Sequence, residues 1–306
     1  HIQWPEYGPL FILSDIIDTR PNMNKIGFVY NALVPEAPPF IDSLIESLKL
    51  RENSWICSAV DLETAPDLLE QTTLIVVAGG DGTILRTIHV IAPHSIPIVG
   101  VNMGRVGFMS ELRPENAAEK LPSYLNGDMR VERRMMLYAE VFSPSDNSLV
   151  FSAHALNDVG VGRGGVARLL DIATRIDGVD LTSYRADAVI ISTATGSTGY
   201  ALSAGSPIFF PEARMLIMQP VAAHTGLRDG LVLPDSSVVE LSVADSRHAS
   251  LSVDGLDEVD LEPGSTVTVN QSPHEALFLR SEPPTFFYTD LTRRLGLVYN
   301  LSGPGN

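Results

Sequence analysis

A single cysteine, Cys57, stands in 306 residues, so no intrachain disulfide can form and a reducing compartment, the cytoplasm, is expected. Long apolar runs are also missing. The longest, Thr73–Ala78 and Ala188–Ile191, have the length of buried strands and fall far short of the ~18–20 residues of a membrane span. The start shows no basic stretch leading into an apolar core with a small-residue cleavage site, so no secretory signal is expected. Basic charge is scarce: 21 Lys and Arg against 37 Asp and Glu leave a formal net charge of −16. A surface that acidic repels nucleic-acid backbones and anionic membranes, and neither is an expected partner. The 7 histidines show no H-x-x-x-H spacing and have no cysteine partners, which speaks against a zinc site. No G-x-S-x-G elbow supports a serine hydrolase.

What is present is ordinary for a globular chain, with 44% apolar and 19% charged residues and a length that fits one large domain or two ordinary ones. Residues 1–22, with Trp4, Pro5, Pro9 and Pro21, read as a native extension or as added residues, and carry no functional argument. From Lys25 to about Arg113, strands and helices alternate. Ile26–Tyr30, Trp55–Val60, Leu74–Ala78 and Ile96–Val101 read as strands; Pro39–Leu50 and Ala65–Gln71 read as helices between them. Strands that are apolar throughout, interleaved with helices, predict a parallel α/β sheet, with Pro114–Asn126 as a helix leading out of it. Beyond Gly127 the period changes to two: Leu137, Ala139 and Val141, then Leu149, Phe151 and Ala153, then Leu170, Ile172, Thr174 and Ile176. Val238–Val243, Ala249–Val253 and Thr266–Val269 continue it, with Asp254-Gly255 and Pro263-Gly264 as turns. The fold class expected is a Rossmann-like α/β N-terminal domain followed by a mostly β, sandwich-like C-terminal domain.

Three segments carry chemistry. Gly79-Gly80-Asp81-Gly82-Thr83 follows an apolar strand and leads into a helix over Thr83–Ile91. Side-chain-free backbone amides at a helix N-terminus form a phosphate cradle. A carboxylate in its midst is a poor neighbour for phosphates unless it meets a divalent ion or takes a proton from an attacking hydroxyl. The alternative is a tight turn capped by Asp81. The second segment is Thr193-Ala194-Thr195-Gly196-Ser197-Thr198-Gly199-Tyr200, again after an apolar strand; its hydroxyls suit a diphosphate or a ribose edge, and equally a capped turn. The third is Asn157-Asp158 at the end of a strand over Phe151–Leu156, able to grip a ribose diol or an adenine edge, or to cap a turn. Gly160, Gly162 and Gly165 spell G-x-G-x-x-G, but the alternation that follows is that of a strand, so the segment reads as a turn rather than a dinucleotide fingerprint.

In this order, and with Asn102-Met103-Gly104-Arg105-Val106-Gly107-Phe108 between the first and third, these motifs resemble the NAD kinase family over roughly Lys25 to the C-terminus. The resemblance implies phosphoryl transfer from ATP or inorganic polyphosphate to the adenosine ribose 2′-hydroxyl of NAD, with Mg²⁺ or another divalent cation. It implies a proton acceptor at Asp81, beside the nucleotide-binding residues Gly79, Gly80, Gly82, Thr83 and Arg86. Asn157, Asp158, Arg168, Arg185, Asp187 and Thr195 match further ligand-contacting positions, and Thr198, Gly199, Tyr200, Ala201, Leu202 and Ser203 match a stretch that wraps the dinucleotide. No residue is assigned as a metal ligand. The implied organisation is residues 23–126 as the α/β domain, 127–284 as a β-rich NAD-binding domain, and 285–306 as a segment returning to the first. NAD is then expected across the domain boundary, in a homodimer or homotetramer. Three positions depart from the family pattern: Ala194 for Pro and Gly199 for Ala, which loosen the loop, and Asp158 for Glu, one methylene shorter. The alternatives are a lipid kinase of the diacylglycerol or sphingosine type and a non-catalytic NAD(P) sensor.

Overall fold

In a computed structural model, the described residues are 25–104, 107–127, 129–164, 169–244 and 249–296. They divide into two units. The first holds residues 25–84, Pro97–Glu132 and 278–296; the second holds Leu85–Ile96 and Arg133–Leu277.

In chain order the first elements are β1 (Lys25–Tyr30), α1 (Ala37–Ser47), β2 (Ser54–Ser58), β3 (Thr72–Gly79), α2 (Asp81–Ile91), β4 (Ile98–Asn102) and α3 (Pro114–Leu125). Nine strands fill the middle: β5 (Arg130–Phe142), β6 (Leu149–Ala155), β7 (Asp158–Arg163), β8 (Leu170–Ile176), β9 (Val179–Ala186), β10 (Ala188–Ser192), β11 (Met215–Val221), β12 (Leu231–Pro234) and β13 (Val239–Val243), with the one-turn helix α4 (Tyr200–Ser203) after β10. The chain closes with β14 (Ala249–Val253), β15 (Asp257–Leu261), β16 (Thr266–Arg280) and α5 (Phe286–Arg294).

In the first unit the strands run parallel in the order β2-β1-β3-β4, and Phe278 of β16 pairs with Ile98 beyond them. Their continuous apolar character has the expected cause: all five residues of β4 and the last six of β3 are buried. α1 turns Ile41, Leu44 and Ile45 inward, at the spacing that places them on one face. Ala65–Gln71 is not the helix its composition suggests. A single 3₁₀ turn, Pro66–Leu68, occupies this stretch, after another over Asp61–Thr64. Pro66 has no N–H to extend a helix, and the chain is already turning into β3 through Thr72 N–H to Leu69 O.

The second unit is a β-sandwich. One layer has the antiparallel order β12-β11-β10-β7-β14-β15; the other holds β13 between β8 and β16, with β9 beyond β8 and β5 and β6 beside β16. Val159, Val161, Val189, Ile191, Leu251 and Val253 from one layer meet Leu137, Ile172, Leu241, Val267 and Val269 from the other in a fully enclosed core. Gly160 and Gly162 are not a turn: they lie within β7, paired to Ile190 and Ala188 on one side and to Ser252 and Ser250 on the other. Ladders on both flanks supply what the glycines lack as strand formers. Gly165 lies outside the described residues. The strand expected over Thr266–Val269 continues to Arg280.

Arg280 ends that strand inside the first unit. Its guanidinium reaches Glu111 Oε2 and Met109 O at 3.0 Å each and Glu132 Oε1 at 3.2 Å, with 8% of the residue exposed. Arg280→Ala removes the cation that buried Glu132 and partly buried Glu111 share, and is expected to cost about 3–5 kcal/mol in urea denaturation. A loss under about 1 kcal/mol would show the network to be solvated.

Candidate active site

β3 ends at Gly79 and α2 starts at Asp81, two residues before the expected helix start, so the carboxylate sits in the first helical turn. It does not cap its own helix. Its oxygens instead accept the backbone N–H of Phe108 (2.8 Å) and of Met109 (3.2 Å). A Cβ built on Gly107 would overlap the Asp81 carboxylate, so glycine there is what lets the turn close on it. Gly80 and Gly82 tell a different story. Neither has a positive φ, and a Cβ at either would meet nothing within 4 Å. No atom of the described residues requires glycine at these two positions, which stand at a helix N-terminus, where the first N–H groups have no intrahelical acceptor. Thr83 is buried within the first turn of α2, and Arg86 lies further along it, half-buried. A cleft of about 230 Å³ lies nearby in sequence, lined by Asn102, Met103, Gly104, Arg113, Pro114 and Glu115.

In the second unit Asn157 and Asp158 form the corner between β6 and β7. The hydroxyl-rich loop after β10 is bound to that corner. Thr193 Oγ1 donates to Leu156 O (2.6 Å), Thr193 N–H to Asn157 O (2.9 Å), and Ser192 Oγ to the same oxygen (3.1 Å). Within the loop, Gly196 N–H reaches Thr193 Oγ1 and Ser197 Oγ reaches Ala194 O, so the chain folds into a 3₁₀ turn over Gly196–Thr198 before α4. Thr198 Oγ1 donates to Thr195 O. In this corner and loop, Asn157 Oδ1 and Thr195 Oγ1 are buried with no partner among the described residues, as are Thr174 Oγ1, Tyr184 OH, Gln219 Oε1 and Asn270 Oδ1 elsewhere in the unit. Buried polar atoms are ordinarily hydrogen-bonded, so the two in the corner and loop have bonding capacity that the protein does not use. Gly199 and Tyr200 are exposed, Ala201 is buried, Leu202 is half-buried and Ser203 is exposed.

Asp158 is 9% exposed. Burial, and secondarily the Asp254 carboxylate nearby, push its carboxyl up from 3.8 to about 7. The structure therefore brings Asn157, Asp158, Thr195 and Gly199 to one corner. Arg185 and Asp187 are elsewhere in the unit, at the start of β10, whereas Asp158 pairs with Ser192 at its end. Asp187 forms an ion pair with Arg163 (3.3 Å), and Arg185 is exposed at the end of β9. Arg168 lies outside the described residues.

One residue that sequence reasoning treats only as a turn is central to the corner. Asp254 adopts φ 52° and Gly255 φ 66°, the left-handed pair of a tight hairpin. The Asp254 side chain accepts the backbone N–H of Leu156, Asn157 and Asp158. Its partners lie 96 to 98 residues away, so nothing local in the sequence signals this.

A glycine-ended strand feeding a carboxylate-led helix in an α/β unit, with a hydroxyl-rich corner in a β-sandwich unit, suits a phosphotransferase, and the relatives of the chain are of that class. Residues 44–129 match the ATP-NAD kinase N-terminal domain and residues 156–281 the ATP-NAD kinase C-terminal domain. The NAD kinase of Dehalococcoides mccartyi is 40% identical over 272 residues, covering 89% of this chain and 95% of that protein. The NAD kinase of Chloroflexus aggregans is 38% identical over 231 residues, 75% of this chain and 83% of that one. Among solved structures, an NAD kinase from Archaeoglobus fulgidus in complex with ATP matches with a TM-score of 0.69 and 28% identity, over 90% of this chain and 99% of that chain. Yeast NADH kinase complexed with NADH matches with a TM-score of 0.81 at 23% identity, over 93% and 91% of the two chains, which shows the shared fold. The chain belongs to the NAD kinase family. The lipid-kinase alternative draws no support from these relatives.

Because Asp158 has a raised carboxyl in the folded state, the stability it contributes is present at low pH and is lost as pH rises from about 3.8 through about 7. Asp158→Asn is therefore expected to raise the melting temperature relative to the unsubstituted protein, and to do so more at pH ~8 than at pH ~4. A difference that does not change between those pH values would contradict the buried, neutral-leaning carboxyl.

Proposed function

We propose that Asp81 is the proton acceptor when this NAD kinase transfers the terminal phosphoryl group of ATP to the adenosine ribose 2′-hydroxyl of NAD. The hydroxyl oxygen attacks the γ-phosphorus and a new O–P bond forms. The bond from phosphorus to the β–γ bridging oxygen breaks, ADP leaves with the electron pair, and the hydroxyl proton passes to an Asp81 carboxylate oxygen. The observation that carries this reading is the geometry of that carboxylate. It follows two glycines in the first turn of a helix, and each oxygen accepts one backbone N–H and so keeps a lone pair. Open space beside Gly80 and Gly82 suits phosphates held by backbone amides. Most of the acceleration then comes from positioning and charge neutralisation, with little covalent work for the protein.

In the second unit, Asn157 Oδ1 and Thr195 Oγ1 are acceptors for NAD hydroxyl or amino groups, and Asp158 stands beside them at the corner. Thr198 through Ser203 line the dinucleotide on the same loop. Arg86, Arg168, Arg185 and Asp187 are assigned to ligand contact on the family resemblance. Among the described residues no group of three or more His, Cys, Asp or Glu side chains is placed to hold a metal ion. The ion is assigned to the substrate, entering as MgATP. Polyphosphate as an alternative donor and NADH as an alternative acceptor fit the same chemistry.

Asp81→Asn keeps the shape and loses the basic oxygen. Its NADP formation is expected to fall by about 10²-fold or more, with the melting temperature within a few degrees of the unsubstituted protein. Turnover close to that of the unsubstituted enzyme would remove Asp81 from the role.

No helix among the described residues is long and apolar enough to cross a membrane, and the lone Cys57 suits the cytoplasm, where cell fractionation should recover the protein. A homodimer or homotetramer is favoured by Leu149 and Val150 on the edge strand β6 and Val179 on the edge strand β9, exposed by 51%, 59% and 69%. Light scattering is expected to give a mass at least twice the 33.1 kDa of the chain; a monomer at micromolar concentration would overturn it.

A further inference from the structure

We propose that Asp254 is a positioning residue for NAD, its buried carboxylate fixing the backbone from which Asn157 and Asp158 project, with His89 holding that carboxylate in place. The inference rests on the reading that the Asn157–Asp158 corner binds the dinucleotide. Asp254 Oδ1 accepts Asn157 N–H (2.7 Å) and Asp158 N–H (2.9 Å), while Oδ2 accepts Leu156 N–H (2.7 Å) and lies 2.7 Å from His89 Nε2. The Asp254 side chain is 0% exposed and that of His89 17%. A carboxylate has about four lone-pair sites, and here four donors meet them. The imidazole must carry its proton on Nε2 to take part, since the oxygen it faces is an acceptor.

The carbonyl side of the corner is equally occupied. Leu156 O accepts Thr193 Oγ1, Asn157 O accepts Thr193 N–H and Ser192 Oγ, and Asp158 O accepts Asp254 N–H at 2.9 Å. All three N–H and all three C=O groups of Leu156–Asp158 thus have partners, and no peptide in the corner can flip without breaking them. The Asn157 side chain projects from this frame with its Oδ1 buried and unpartnered, held ready for a ligand rather than recruited by one. Asp254 itself occupies a left-handed conformation that Asp and Asn both tolerate, so Asp254→Asn leaves the turn possible. It does replace one oxygen with an N–H₂ group pointing at backbone donors, which separates the carboxylate's role from that of the hairpin.

The test is steady-state kinetics of NADP formation from NAD and MgATP by the full chain, with four variants. Asp254→Asn is expected to raise KM for NAD about tenfold or more, with kcat and KM for ATP within about threefold, because an oriented acceptor is lost while the reacting groups are untouched. His89→Ala should raise KM for NAD by about threefold or more, and His89→Gln, which restores an N–H donor, should bring it back to within about twofold. Asn157→Ala serves as the reference for the corner's role. If Asn157→Ala raises KM for NAD while Asp254→Asn and His89→Ala do not, the positioning role is wrong and the corner's role stands. If Asn157→Ala leaves KM for NAD unchanged, the reading beneath the proposal fails and the proposal with it. Should Asp254→Asn not fold, the His89 pair decides: an unchanged KM for NAD in folded His89→Ala, or no rescue by His89→Gln, overturns the assignment.

Discussion

Two carboxylates of this protein, the fully buried Asp254 and the half-buried Asp81, are each met by backbone N–H groups from distant turns. Asp254 gathers three of them from Leu156–Asp158, and Asp81 gathers two from Phe108 and Met109. In each case the carboxylate sits on a rigid element's end and a loop closes onto it. The same bonds that satisfy the charge also fix the loop, so desolvation and geometry are solved together. Gly107 shows how tight the first closure is, since any side chain there would displace Asp81. Thr193 and Ser192 do the corresponding work on the carbonyl side of the second. The two segments proposed to bind nucleotide are therefore held by bonds within the protein itself.

Charge is economised in the same spirit. The chain carries a net charge of −16, yet several of its arginines serve acidic partners rather than standing ready for phosphates. Arg163 pairs with Asp187, Arg175 with Glu240, Arg214 with Glu275, and Arg280 with Glu111 and Glu132. Backbone amides at the glycine loop carry partial positive charge that costs no counter-ion, and they keep their geometry because the helix behind them is rigid.

Much of this was legible in the sequence. Leu74–Ala78 and Ala188–Ile191 read as buried strands because both faces are covered, and the motifs after them stand where a strand hands over to a turn. Other readings failed for definite reasons. Gly160 and Gly162 lack side chains that favour a strand, but two neighbouring ladders impose one. Ala65–Gln71 had helical composition and too few residues, with Pro66 among them, to hold a helix against the pull of β3. Asp254 was visible as a turn residue, which it is; its side-chain role depends on partners nearly a hundred residues away, beyond any local pattern. The histidines looked scattered, yet folding sets His154 against Tyr138 and His274 with ring centroids 4.8 Å apart and places His89 on Asp254.

The central claim is that this α/β and β-sandwich pair phosphorylates a dinucleotide at the ribose. The measurement that addresses it most directly is ³¹P NMR of products when purified protein and MgATP are offered NAD together with diacylglycerol and sphingosine. The account predicts a single new phosphomonoester on the adenosine ribose 2′-oxygen of NAD. A phosphorylated lipid, or bound NAD with no phosphomonoester at all, would contradict it.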